Sequence, residues 1–199
     1  MSSDDVVKDY LNDAISSFHS YKKLADNAIA QVKDDELFVT IDDEANSIAI
    51  VMKHMAGNMF SRWTDFLTSD GEKPNRNRDM EFVIESKNKA ELLAYWDGGW
   101  QCVFDAVESL QLEDFEKVIT IRGQEHSIVQ ALNRQLTHYA YHIGQIVFLA
   151  KHFRSSEWKS LSIPKNKSAA FNQFLGENKA VGQQRMDVAM SFANDTDNK

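Results

Sequence analysis

Apolar residues recur at steps of three and four along most of the chain, which is the period of amphipathic α-helices. This pattern predicts four long helices, over residues 4–32, 45–68, 88–110 and 127–153. At the first helix, Ser3 with Asp4 or Asp5 is the predicted N-cap, and at the fourth Ser127 and Gln130 form a predicted capping box.

The segments between these helices lack the helical period. Residues 69–78 contain Ser-Asp-Gly and a proline, which predicts a loop, and residues 115–127 predict a short β-hairpin or an extended connection. The pattern weakens after Arg154. We therefore expect an all-α fold, a four-helix bundle with an irregular C-terminal extension, as one domain over residues 1–194 followed by a polar tail over 195–199.

Composition and charge narrow the classes of function. The 199 residues include only 8 Gly and 2 Pro, too few turn residues for a β-sandwich or barrel. The net charge of −8 argues against nucleic-acid binding, because an acidic protein repels the phosphate backbone. A single cysteine, Cys102, excludes an internal disulfide and a cysteine-only zinc site. No signal peptide or membrane span is recognisable, so a cytoplasmic protein is expected.

Two histidines on the fourth helix are the first candidates for chemistry. His138 and His142 are four residues apart, so both imidazoles lie on one helix face and can reach one cation. Gln135 and Gln145 continue this polar line through an otherwise apolar helix. Because a buried polar group without a partner costs about 1–3 kcal/mol, the line indicates a shared metal, water or ligand.

The second helix carries a matching polar line of His54, Asn58 and Arg62. If the two lines face each other, His54 becomes a third ligand beside His138 and His142. Three imidazoles with an open position are typical of catalytic zinc or a similar divalent ion. The alternative is a set of core histidines that are hydrogen-bonded to one another and to water.

Three sequence blocks, over residues 54–79, 132–151 and 162–168, resemble the DinB/YfiT-like superfamily and within it domain of unknown function 1572. That superfamily includes thiol-dependent S-transferases and maleylpyruvate isomerases. The resemblance implies a helical bundle of up-down-down-up type and a divalent metal, zinc, nickel or similar, held by His54, His138 and His142. Asn166 stands where similar sequences have a glycine, and asparagine also tolerates the left-handed backbone.

Six polar residues are candidates for contact with a small-molecule substrate: Asn58, Arg62, Tyr141, Gln145, Lys165 and Lys167. Arg62 or the two lysines could hold a carboxylate or phosphate. The alternatives are a structural salt bridge from Arg62 to Asp65 or Asp79, and a solvated loop for the lysines.

Three functions remain open from the sequence. The first is metal-dependent transfer of a low-molecular-weight thiol, as cosubstrate, to a small electrophile. The second is metal-dependent hydrolysis. Neither polar line carries an Asp or Glu as general base, although a loop could supply one. The third is a non-catalytic, metal-stabilised stress or ligand-binding scaffold.

Two further expectations concern the third helix. Cys102 is expected to be a packing residue. Trp96 and Trp100 predict a homodimer contact if the core cannot take up both indoles.

Overall fold

A computed structural model describes residues 2–177 and 188–193 of the chain. Its α-helices are α1 (Ser3–Ile29), α2 (Ile48–Trp63), α3 (Lys89–Glu108), α4 (Ile128–Arg154) and α5 (Ser168–Glu177). Residues 188–193 are also helical. The strands β1 (Val118–Ile121) and β2 (Gln124–Ser127) form an antiparallel hairpin in which Val118 lies opposite Ser127. The predicted all-α class is confirmed, and the predicted tail over 195–199 lies outside the described residues.

Local side-chain caps fix where the long helices begin. The cap of α1 is Ser2 and not Ser3, and it forms a capping box with Asp5. The capping box of Ser127 and Gln130 at the start of α4 is present as predicted. Each cap satisfies backbone N–H groups that have no acceptor within the helix.

Helix α2 is shorter than its apolar pattern predicts. It begins only after Ser47, whose hydroxyl accepts a hydrogen bond from the Ile50 N–H. It ends at Trp63 because Thr64 is extended and Asp65 has a φ of 48°. The apolar period continues through Phe66, which is buried although its backbone has left the helix.

The C-terminal extension is more regular than expected. Asn166 adopts the left-handed conformation, with a φ of 66°, and α5 follows it. The apolar side of α5 packs on residues 188–193 in a small cluster that includes Phe171, Val188 and Phe192. This helix has too few apolar positions in its 10 residues to give a recognisable period.

The first four helices share one hydrophobic core. Gly99 allows α2 and α3 to approach closely, because a Cβ atom there would lie 3.0 Å from the Cα of Ala56. Trp96 and Trp100 are buried in this core, with 1% and 0% exposure. Because the core takes up both indoles, they do not form the dimer contact that was conditional on their exposure. The homodimer itself stays a prediction. Among the described residues, each helix is too short or too polar to cross a membrane.

Candidate metal centre

Three histidines meet where α2 packs against α4. His54 is contributed by α2 and is buried, whereas His138 and His142 of α4 are half-buried. One nitrogen of each imidazole lies within 4.8 Å of the others. The Nε2 atoms of His138 and His142 are 3.0 Å apart. The two polar lines recognised in the sequence therefore face each other.

A buried hydrogen-bond chain holds the two helices in this register. The indole N–H of Trp63 donates to the Tyr139 hydroxyl at 2.9 Å, and that hydroxyl donates to Oδ1 of Asn58 at 3.3 Å. Burial raises the pKa of Tyr139, so the hydroxyl keeps its proton. Asn58 thus uses its carbonyl oxygen to join α2 to α4.

Two of the three imidazoles have an acceptor on Nδ1. The Nδ1–H of His54 donates to Oε2 of Glu81 at 2.9 Å, and the Nδ1–H of His142 donates to Oε1 of Gln145 at 2.9 Å. A proton held on Nδ1 leaves the Nε2 lone pair free for a metal. Such outer partners orient metal-binding histidines and increase their basicity.

The charge state of the histidines suits a cation. Burial first, and then the neighbouring His142, lower the pKa of His138 from 6.5 to about 3. Burial also lowers the pKa of His142. Both imidazoles are therefore neutral at pH 7. Their Nε2 atoms, 3.0 Å apart, can share one proton in a hydrogen bond or, with the His138 proton on Nδ1, offer two lone pairs to one cation.

The donor set also suits a divalent ion of the first transition row. Imidazole nitrogens are preferred ligands of zinc and nickel, and zinc–nitrogen bonds of about 2.1 Å place two tetrahedral ligands about 3.4 Å apart. The separations here, 3.0 Å for one pair and at most 4.8 Å for all, require only small side-chain rotations. The residues present therefore fit the metal that the resemblance implies.

Glu81 is held in place by a second partner, Arg76. The guanidinium Nε and Nη2 of Arg76 donate to the two carboxylate oxygens of Glu81 at 2.8 and 2.9 Å. Both side chains are buried, with 5% and 7% exposure. Although burial opposes it, hydrogen bonds from His54 and Arg76 lower the pKa of Glu81, so this carboxylate is ionised.

Gly57 provides the space that Glu81 occupies. It lies one turn after His54 on α2, and a Cβ atom there would be 2.5 Å from Oε1 of Glu81. No side chain larger than hydrogen fits between the helix backbone and this carboxylate. The position of Glu81 against His54 therefore depends on a glycine in α2.

A network of buried charges extends from this carboxylate to the hairpin. Glu72 accepts hydrogen bonds from Arg76 at 3.1 Å and from Arg62 at 2.9 Å. At the exposed end, Arg122 of the hairpin turn donates to the same oxygen of Glu72 at 3.3 Å. The hairpin and the loop before Glu81 are thereby linked to the histidine site.

Arg62 makes a structural ion pair, although not with Asp65 or Asp79. It is 5% exposed, and Nη1 donates to Glu72 and to the backbone carbonyl of Gly71. Its Nε has no hydrogen-bond partner among the described residues. The guanidinium of Arg62 therefore makes its hydrogen bonds within the protein. Its predicted role in holding a substrate anion has no structural support.

The remaining substrate candidates lie in two places. Tyr141 is 65% exposed, with its ring centroid 5.0 Å from that of His142, and Gln145 bonds His142 directly. Lys165 and Lys167 are exposed in the loop before α5, and nothing in the described part of the chain joins them to the three histidines. The structure thus brings Tyr141 and Gln145 into contact with His142, and no contact of this kind is described for the two lysines.

Cys102 has the surroundings of a packing residue. Its thiol is half-buried on α3, lies 3.6 Å from the Thr64 hydroxyl, and contacts the main core. Burial raises the pKa of this thiol, so it is a poor nucleophile at pH 7.

Glu81 and Arg76 are the residues that the sequence did not reveal as part of the site. They lie in the loop and short 3₁₀ turn between α2 and α3, where no periodic pattern assigns a direction to a side chain. The only feature of the sequence that points to them is that Glu81 follows the basic run Arg76-Asn77-Arg78 by three positions.

Comparison with known families gives one match. Residues 5–167 match the family described as "Protein of unknown function (DUF1572)". The chain belongs to this family. The matched region contains all three histidines and the loop of Arg76 and Glu81. No curated protein and no solved structure matches the chain.

Proposed function

We propose that this chain is a metal-dependent enzyme that transfers a low-molecular-weight thiol to a small electrophile. His54, His138 and His142 would hold a divalent ion such as zinc or nickel. The observation that carries the proposal is the convergence of three imidazoles, two of them with an Nδ1 partner. The resemblance to DinB/YfiT-like bundles, which include thiol-dependent transferases, supports this choice of reaction.

A bound divalent ion would lower the pKa of a coordinated thiol and so supply a strong nucleophile at neutral pH. In the proposed reaction the thiol releases its proton to solvent, and its sulfur forms a bond to the electrophilic carbon. The leaving group departs with the electron pair of the bond that breaks. The thiol comes from a cosubstrate, because Cys102 is a packing residue.

The carboxylate at the site favours transfer over hydrolysis. A hydrolase needs a general base beside its nucleophilic water. Glu81 contacts His54, but its oxygens are shared between His54 and Arg76, and hydrogen bonds keep its pKa low. Within the described residues, the cluster of possible ligands contains histidines alone. Glu81 is thus suited to hold His54 in place and not to accept a proton from water.

The proposed contacts with the small-molecule substrate are Tyr141 and Gln145, which lie against His142. Asn58 and Arg62 are not proposed as substrate contacts, since their side chains are bonded to Tyr139 and to Glu72 within the fold.

A paired activity screen tests the proposal. Zinc- and nickel-loaded protein is incubated with several low-molecular-weight thiols and electrophiles, and separately with small esters and amides. The proposal predicts thioether formation that His138→Ala abolishes and His152→Ala, an exposed histidine on the same helix, preserves. Metal-dependent hydrolysis without thiol transfer would contradict it in favour of a hydrolase. Inactivity in both arms, with bound metal, would contradict it in favour of a scaffold.

A further inference from the structure

Gly144 is a glycine in α4 that helix packing does not explain. Glycine is a poor helix former, so its presence within a 27-residue helix needs a reason. At Gly57 and Gly99 the reason is close contact, since a Cβ atom would lie 2.5 and 3.0 Å from neighbouring atoms. At Gly144 a Cβ atom would meet nothing within 4 Å. The effect of this glycine is to leave open space above the helix backbone.

That space belongs to a cavity of about 530 Å³ between α4 and the segment that leads into α2. Tyr141, Gln145 and Phe148 line it from α4, and Val51 lines it from α2. Tyr141 and Phe148, one turn before and after Gly144, are 65% and 63% exposed. Exposed aromatic side chains beside a cavity are typical of a surface that a ligand covers.

The cavity adjoins the histidine site. Gln145, one of its walls, accepts the hydrogen bond from Nδ1 of His142, and the Tyr141 ring lies against the ring of His142. Val51 is three residues before His54 on the same helix. The amide NH₂ of Gln145 has no hydrogen-bond partner within the described residues, so it can donate to a molecule in the cavity. A ligand there would lie against two side chains, Tyr141 and Gln145, that contact His142.

The charges at the cavity restrict the class of ligand. Its lining contains Glu44 but no Lys or Arg among the described residues, and Asp42 and Asp43 are nearby in the sequence. A carboxylate or phosphate would therefore meet negative charge without a cation to offset it. Apolar contact with Tyr141, Phe148 and Val51 is the attraction that remains.

We infer that this cavity is the pocket for an aromatic or aliphatic group of the substrate that carries no negative charge, with Gly144 keeping the pocket open. That the bound group belongs to a substrate of thiol transfer rests on the proposed function. Binding of the apolar group itself requires only the cavity, so it can be tested separately from the metal.

Three probes that share one ring and differ in charge test the inference: benzyl alcohol, benzylamine and benzoate. Their dissociation constants are measured with the full chain by titration followed by NMR. Benzyl alcohol and benzylamine are expected to shift resonances of α4 around Gly144, and benzoate is expected to bind at least tenfold more weakly. Gly144→Leu, which fills the cavity, is expected to weaken benzyl alcohol binding at least tenfold.

Matched variants separate a filled pocket from a damaged fold. Phe148→Ala removes one wall and is expected to weaken benzyl alcohol binding about fivefold, even if Gly144→Leu does not fold. Tyr95→Ala removes an exposed aromatic side chain of another cavity and is expected to change the dissociation constant less than twofold. Tightest binding by benzoate, no detectable binding of benzyl alcohol, or equal binding by wild type and Phe148→Ala would overturn the inference.

The same titration on His138→Ala distinguishes the two proposals. Benzyl alcohol binding retained in this variant supports the pocket independently of any metal, whereas binding lost together with the shifts at Gly144 overturns it. A wild-type protein that binds no divalent ion but still binds benzyl alcohol would contradict the proposed function alone.

Discussion

The Nδ1 atom of His54 lies 2.9 Å from Oε2 of Glu81, and both side chains are almost completely buried. This pair joins a helix to a loop residue 27 positions later in the sequence. It determines which nitrogen of His54 faces His138 and His142. The proposed metal site therefore depends on a carboxylate that is not itself a ligand.

Removing the charge of Glu81 should weaken metal binding. In Glu81→Gln the amide replaces a carboxylate that accepts the His54 proton, so His54 becomes less basic and less well oriented. We expect zinc affinity to fall about 10–100-fold. The zinc dissociation constant is measured by competition with a chromophoric chelator. Glu85→Gln changes an exposed carboxylate near the same loop, so it should leave the affinity unchanged; equal affinities of Glu81→Gln and wild type would exclude this role for Glu81.

Gly57→Ala tests the same pair without touching either member. The new Cβ would lie 2.5 Å from Oε1 of Glu81, so the carboxylate must shift, which disturbs its hydrogen bond with His54. We expect a loss of zinc affinity of at least about tenfold, close to that of Glu81→Gln. The matched control is Gly99→Ala, whose Cβ would lie 3.0 Å from Ala56. That variant should be less stable yet keep its zinc affinity, and equal losses in both variants would contradict the account.

The fold was more predictable from the sequence than the site. Apolar periodicity and the Ser127 cap predict α4, and helix geometry then places His138 and His142 on one face. The predicted end of α2, at residue 68, was wrong. The helix ends at Trp63 because the backbone at Asp65 is not helical, although the apolar pattern continues. Glu81 could not be predicted, since its contact with His54 depends on a loop path that no local pattern encodes.

Glu72→Gln should destabilise the fold and leave the metal ligands intact. Glu72 accepts from Arg62 and Arg76, and both guanidinium groups are 5% exposed. Loss of a partner for a buried charge costs up to about 3–5 kcal/mol, less here because Glu72 is 26% exposed. Urea denaturation should show a lower unfolding free energy, with Glu113→Gln as an exposed control. An unchanged midpoint in urea would show that the network does not stabilise the protein.

Asp70 should make the fold sensitive to acid. Its carboxylate accepts backbone N–H groups of Glu72, Gly123 and Arg122, which lower its pKa below the ordinary value of 3.8. A lowered folded-state pKa gives stability that is present above pH 3.8 and is lost as pH falls through the folded-state value. The difference in unfolding free energy between wild type and Asp70→Asn should therefore shrink below about pH 4. A difference that is constant from pH 7 to pH 3 would refute this.

The central claim is that His54, His138 and His142 bind one divalent ion, and metal analysis of the purified chain tests it most directly. The account predicts about one equivalent of zinc or nickel per chain in wild type and in His152→Ala, and a small fraction of that in His138→Ala. Folding of each variant is checked by circular dichroism. Stoichiometric metal that His138→Ala leaves unchanged, or a folded wild type that binds neither ion, would contradict it.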